Sequence, residues 1–167
     1  MQRKLLIFGL VGVVSVLSVG CSLLGVGTLD ENTAAVYKSA DGLALGGYDV
    51  VSYFGENAPR QGKTEFSTDW NGAKWQFSSG ENRDEFLKNP AKYAPQFGGY
   101  CAYAVSQGYT ASGDPKAWKI VDDKLYVNYS PAVKEKWVKD IPKFIADANN
   151  NWKNLADKAE ESRKDKK

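Results

Sequence analysis

The sequence predicts a small α+β domain in which two β-hairpins pack against helices, with further helices at the C-terminus. Three observations predict it. Asn71-Gly72 separates two strand-like segments, Asp122-Asp123 separates two more, and Ser130-Pro131 precedes a stretch of helical periodicity. The first two are turn signals between alternating residues, and a Ser-Pro pair is a typical helix start.

The domain begins at about residue 44, after a stretch without periodicity. Gly46-Gly47 predicts a turn, and Asp49 can cap a short helical turn that runs through Phe54. The folded region should therefore open on a turn and a capped helical turn.

The first hairpin pairs residues 65–70 with residues 74–77 across Asn71-Gly72. Both turn residues tolerate the positive φ of a type I′ turn. The sequence 78–81, Ser-Ser-Gly-Glu, fits a capping box with Ser78 at the N-cap. It predicts a helix through Leu87 that Asn89-Pro90 ends, with Phe86 facing the hairpin.

The second hairpin pairs residues 118–121 with residues 124–129 across Asp122-Asp123. Strand alternation places Trp118 and Ile120 on one side.

The C-terminal part is predicted to be helical from Ser130-Pro131 onwards, and the stripe Val133, Trp137 and Ile141 forms its apolar face. Pro142 breaks or kinks the helix. Residues 153–167 are strongly charged and are expected to form a solvated tail.

The N-terminus predicts export. Arg3 and Lys4 precede an uncharged apolar run over residues 5–20, which is short for a membrane span and typical of a signal peptide. Small residues then lead into Cys21, as in a bacterial lipobox, so we expect residues 1–20 to be removed and Cys21 to carry lipid. An ordinary secretory signal or an uncleaved anchor are the alternatives.

The expected mature protein is a lipidated tether at residues 21–43, a domain at residues 44–152 and the charged tail. The lipid would hold it on a membrane of the bacterial cell envelope, facing the periplasm or the exterior, with the choice of inner or outer membrane left open.

Composition excludes several function classes. Removal of residues 1–20 leaves 20 basic and 20 acidic residues, which argues against a nucleic-acid partner. The sequence contains no histidine, so a histidine-dependent serine or cysteine hydrolase lacks its base. Once Cys21 is lipidated, Cys101 is the remaining thiol, and no intrachain disulfide can form. We therefore expect a non-enzymatic protein.

Several segments together resemble the YHS domain family, and in particular its exported members. They are Gly-Tyr-Asp-Val-Val-Ser-Tyr-Phe at 47–54, Trp-Asn-Gly at 70–72, Glu-Asn-Arg-Asp-Glu-Phe at 81–86 and Tyr-Ala-Pro-Gln-Phe-Gly-Gly-Tyr-Cys-Ala-Tyr at 93–103. The resemblance covers about residues 44–152 and implies a small α+β domain. It also implies heavy-metal handling, because short YHS modules are linked to that role.

This chain departs from the short modules at their three cysteines, which fall on Ser52, Ser78 and Asn82. Soft metals such as Cu(I) prefer thiolate ligands, so the resemblance does not transfer a metal site to these positions.

Five residues are candidates for a ligand site. Cys101 is either a buried apolar residue or a reactive thiol and weak metal ligand, and no basic residue lies near it in sequence to favour the thiolate. Asp49 is either a helix cap or part of a pocket with Tyr48, Tyr53 and Tyr100.

The expected function is ligand binding by a lipid-anchored envelope protein, with a metal ion, a small molecule or an envelope protein as the ligand and any cofactor unknown. The alternative is a copper-type trafficking or redox factor that uses Cys101. A carboxylate-based hydrolase ranks last, because no matched acid–base pair is visible.

Overall fold

The computed structural model describes residues 36–164, with the backbone alone at residues 160 and 162–164. Within these residues, six strands pair as three antiparallel two-stranded sheets, β1 with β2, β3 with β4 and β5 with β6. The strands are β1 Tyr48–Asp49, β2 Arg60–Gln61, β3 Lys63–Trp70, β4 Ala73–Phe77, β5 Asp114–Val121 and β6 Lys124–Asn128.

Helices alternate with these strands and close the chain. They are α1 Ser52–Gly55, α2 Gly80–Lys88, α3 Pro90–Tyr93, α4 Ala102–Ser106, α5 Pro131–Trp137 and α6 Ile141–Lys164. Short 3-10 turns occupy Leu45–Gly47, Gln96–Gly99 and Val138–Asp140. The predicted α+β class is therefore confirmed. Across the described residues, no helix combines the length and the apolar character that crossing a membrane requires.

The first hairpin forms as predicted. Asn71 and Gly72 both have positive φ, 49° and 71°, and they join β3 to β4. From β4, Trp75 and Phe77 pack against Phe86 of α2, with ring centroids 5.2 and 5.1 Å apart. These rings are the centre of the first core cluster.

The cap of α2 lies one residue later than predicted. Ser79, not Ser78, is the N-cap, and its side chain accepts a hydrogen bond from the Asn82 N–H. Ser78 instead donates both its N–H and its hydroxyl to Asp49. Asn89 ends α2 and caps α3 through its side chain.

The second hairpin is also confirmed. Asp122 and Asp123 take positive φ values of 48° and 56° at its turn. Trp118 and Ile120 lie half-buried against the first core cluster, as their spacing predicts. From the next strand, β6, Leu125 and Val127 join this cluster, whereas Tyr126 joins a second one. The second hairpin therefore lies between the two clusters.

The helix after Ser130 begins as predicted, since the Ser130 side chain accepts from the Val133 N–H and Pro131 occupies the first turn. Trp137 is fully buried in the second cluster. Pro142 lies in the first turn of α6, where a missing N–H costs little, so it follows a helix break and does not interrupt α6.

The folded region is longer than predicted at both ends. The expected tail from residue 153 is largely wrong, because α6 continues to Lys164. Ala148, Trp152 and Ala156 recur every fourth residue and are all buried, so the charged residues form only the outer face of this helix. At the other end Val36 is buried, and Tyr37 N–H donates to the Gly98 carbonyl, so residues 36–43 pack on the domain and are not tether.

Candidate functional site

Asp49 is the centre of a buried polar cluster. Its side chain is fully buried and accepts five hydrogen bonds. Oδ1 accepts from the N–H groups of Val51 and Ser52 at 2.9 and 3.3 Å. Oδ2 accepts from the Ser78 N–H at 2.8 Å, the Ser78 hydroxyl at 2.6 Å and the Asn82 amide at 2.7 Å. The carboxylate therefore caps α1 and ties it to the start of α2.

A carboxylate has about four lone-pair sites, so five donors use its whole accepting capacity. Of the two interpretations of Asp49, the geometry agrees with the cap. An exogenous ligand could bind Asp49 only by displacing donors that belong to the fold.

Ser52, Ser78 and Asn82, which the sequence resemblance aligns with the cysteines of short YHS modules, converge on this carboxylate. Ser78 and Asn82 donate to Oδ2, and Ser52 donates its N–H to Oδ1 and its hydroxyl to the Asp49 carbonyl at 2.7 Å. The fold thus brings Ser52 next to Ser78 and Asn82, which are one helical turn apart, and neutral hydrogen-bond donors occupy all three positions.

Tyr53 lies beside this cluster and is also part of the core. It is almost fully buried, and its hydroxyl donates to the Pro115 carbonyl at 2.8 Å. Burial, and then the charges of Tyr48, Asp114 and Asp49, raise its pKa well above the usual range. A tyrosine held neutral and already hydrogen-bonded has a structural role. Tyr48 packs half-buried on the same core cluster.

Tyr100 and Cys101 belong to the other half of the molecule. The Tyr100 ring packs against Trp152 at 5.8 Å and edge-on to Tyr37 at 5.4 Å. Cys101 is a free thiol, 1% exposed, at the N-cap of α4. Its Sγ accepts from the Ala104 N–H at 3.4 Å. The five candidates therefore do not form one pocket.

A surface cleft of about 320 Å³ lies next to Cys101. Its apolar lining comes from Cys101, Ala104, Ala111 and Val133. Its remaining lining residues are Tyr103, Tyr109, Tyr129 and Lys136. The lining residues as a whole come from α4 and the residue before it, from the loop after α4, from the residue after β6 and from α5. The cleft therefore forms only when these elements pack together.

The tyrosines of the cleft are unusually exposed for large side chains. Tyr109 is 54% and Tyr129 is 58% exposed, and Tyr103 is half-buried, with its ring 5.2 Å from that of Phe144. None of the three hydroxyls hydrogen-bonds to a residue that the structure describes. Lys136 is exposed and makes no ion pair within residues 36–159. Sequence reasoning missed Tyr109, Tyr129 and Lys136, because no local motif marks them.

A buried polar atom lies directly behind the cleft floor. Asn128 is fully buried, and its Oδ1 accepts from the Tyr103 N–H at 3.1 Å and lies 3.9 Å from Cys101 Sγ. Its Nδ2 has no hydrogen-bond partner within the described part of the chain. An unpaired buried donor of this kind costs folding free energy.

The described residues contain no group of three or more His, Cys, Asp or Glu side chains placed to hold a metal ion. Cys101 belongs to no such group among these residues. Cys21, the predicted lipidation site, lies outside the described residues.

Searches of protein-family models, of curated proteins and of solved structures found no significant match to this chain. The likeness to the YHS family thus depends on the sequence motifs alone.

Proposed function

We propose that this chain is a non-enzymatic, lipid-anchored protein of the bacterial cell envelope, and that its YHS-type domain binds a small molecule in the cleft beside Cys101. The observation that carries the proposal is the exposure of Tyr109 and Tyr129 in one concave site. Aromatic walls with a few polar groups are typical of small-molecule sites, and about 320 Å³ is at the small end of their size range.

Solvent exposure of two phenol rings in one site favours a binding role over a packing role. A ring that stabilises the fold is normally buried, as Tyr53 and Tyr126 are. The hydroxyls of Tyr109 and Tyr129 are free to donate or accept. A ligand that stacks on these rings would cover apolar surface that now faces water.

Binding can be tested with three single-ring probes of different charge, namely benzoate, benzyl alcohol and benzyltrimethylammonium, titrated into the ¹⁵N-labelled full chain. We expect at least one probe to give saturable shifts at the cleft residues. Tyr129→Ala should weaken that binding, whereas Leu87→Ala, which removes an equally exposed apolar side chain on α2, should not. Absence of cleft shifts with all three probes would refute the proposal.

The alternative function is copper-type trafficking or redox chemistry through Cys101. The observation that supports this alternative is that Cys101 lines the cleft. A single thiolate would need a second ligand from another molecule, such as a second copy across a dimer. Stoichiometric Cu(I) binding that is lost in Cys101→Ser would support this alternative and displace small-molecule binding as the leading function.

The anchoring part of the proposal rests on Cys21 and the apolar run before it. Stable anchoring needs about two acyl chains, which a bacterial lipoprotein cysteine supplies. Mass spectrometry of the mature protein should show a lipidated N-terminal Cys21, and Cys21→Ser should give an unprocessed or soluble product. A wild-type mature protein with an unmodified N-terminus would exclude the lipid anchor.

A further inference from the structure

We infer that the cleft beside Cys101 selects a small aromatic anion, such as an aryl carboxylate. This inference rests on the proposed binding function and specifies the charge of the ligand. It follows from the sign of the charge that lines the cleft, from its hydrogen-bond donors and from its apolar floor.

The charge of the lining is positive. Among the described residues that line the cleft, Lys136 is the one charged residue and none is a carboxylate. The long lysine stem lets its ammonium group move over the cleft mouth. Since Lys136 makes no ion pair with the side chains described in the structure, a ligand anion would not compete with an internal partner.

The hydroxyls of Tyr103, Tyr109 and Tyr129 suit the same ligand. Each hydroxyl can donate one hydrogen bond, and a carboxylate only accepts. Hydrogen bonds to a charged acceptor are about twice as strong as those between neutral groups. The tyrosine hydroxyls and the ammonium group of Lys136 therefore both favour binding of the carboxylate group of the ligand.

The floor suits the ring of such a ligand. Cys101 and Ala104 are small and almost fully buried, so the deep part of the cleft is apolar. A single aromatic ring would lie against this floor and between the tyrosines, with its carboxylate directed toward Lys136. The volume of about 320 Å³ admits one ring with a short substituent better than a larger ligand.

An aromatic cage for an organic cation is the opposite possibility, because three tyrosine faces attract positive charge. The ammonium group of Lys136 opposes a cation at the same site. Charge repulsion with Lys136 therefore makes the cationic probe the weakest of the three.

The test compares the dissociation constants of the three probes for the full chain. We expect benzoate to bind about tenfold more tightly than benzyl alcohol, by combining one exposed charge pair with charge-assisted hydrogen bonds. Lys136→Gln should remove most of that preference. Lys139→Gln, which removes the same charge from an exposed position outside the cleft, should keep it, and both variants should melt like the wild type.

Salt gives an independent measurement. The affinity for benzoate should fall as sodium chloride rises, and the affinity for benzyl alcohol should not. Benzyl alcohol or benzyltrimethylammonium binding in the cleft as tightly as benzoate would overturn the charge assignment while leaving the cleft a binding site. Absence of binding by every probe would refute both proposals.

Discussion

Substitution of Asp49 by asparagine tests whether the buried carboxylate is a structural cap. Asparagine keeps the shape of the side chain but replaces one oxygen with an NH₂ group. If that group takes the place of Oδ2, it meets the Ser78 N–H and the Asn82 amide, which both need an acceptor. If it takes the place of Oδ1, it meets the N–H groups of Val51 and Ser52.

In either orientation, two N–H donors lose their acceptor inside the protein. Each unsatisfied donor costs about 1–3 kcal/mol, with the buried N–H groups of Val51 and Ser52 toward the upper end and the part-buried donors of Ser78 and Asn82 toward the lower end, so two together cost roughly 2–6 kcal/mol. Removal of a buried charge offsets part of this cost, since Asp49 forms no ion pair among the described residues. We expect the free energy of unfolding of Asp49→Asn to fall by about 3 kcal/mol.

Urea denaturation followed by tryptophan fluorescence measures this change. With a slope of about 1.5 kcal/mol per molar urea, the midpoint should fall by about 2 M. Asp69→Asn is the matched control, because the Asp69 side chain is 77% exposed and pairs only with Lys74 at the surface, so the midpoint should change little. An Asp49→Asn midpoint equal to or above that of the wild type would show that relief of the buried charge outweighs the lost hydrogen bonds, and the cap argument would fail.

Three further predictions concern the turn, the thiol and alkaline pH. Gly72→Val should lower the free energy of unfolding by about 1–2 kcal/mol, because φ is +71° there, whereas Gly55→Val, at a glycine without positive φ, should cost less in the same urea assay. Native Cys101 should react with a thiol reagent more slowly than free cysteine and rapidly in denaturant, and Cys101→Ala should cost about 1 kcal/mol; native labelling as fast as free cysteine would favour the redox alternative. Burial, and then the charge of Asp122, raise the pKa of Tyr126 to about 12. Tyrosine in the unfolded chain ionises near pH 10. The contribution of Tyr126 to the free energy of unfolding is therefore complete below about pH 10 and is lost as the pH rises toward 12. Tyr126→Phe should make the urea midpoint less sensitive to pH in that window.

Local signals were sufficient for much of the fold. Asn71-Gly72 and Ser130-Pro131 specify a turn and a helix start through their own backbone preferences, and both are as predicted. The cap of α2 was predicted at Ser78 and lies at Ser79, whereas Ser78 hydrogen-bonds to a carboxylate 29 residues away in sequence. Local sequence does not contain that information.

The continuation of the C-terminal helix past residue 152 and the cleft were missed for related reasons. The helical face after residue 152 consists of Leu155, Ala156 and Ala159, and one leucine and two alanines give a weak apolar signal among many charges. The cleft depends on Tyr109, Tyr129 and Lys136, which lie on separate elements and meet only in the tertiary structure. Cys101 was the one cleft residue that the sequence marked as a site candidate, because the chain contains only two cysteines.

The second core cluster can form fully only after α6, the last helix in the described chain, has been synthesised. Three of the eight buried residues of the second core cluster, Ala148, Trp152 and Ala156, come from this last helix. A chain that emerges N-terminus first can bring the first cluster together while this helix is still absent, because the members of that cluster precede residue 128. Tyr100 packs on Trp152, and Asn151 donates to the carbonyls of Val105 and Ser106 in α4. A chain that stops before α6 would therefore expose Tyr100 and α4 to solvent while the first core cluster is already formed.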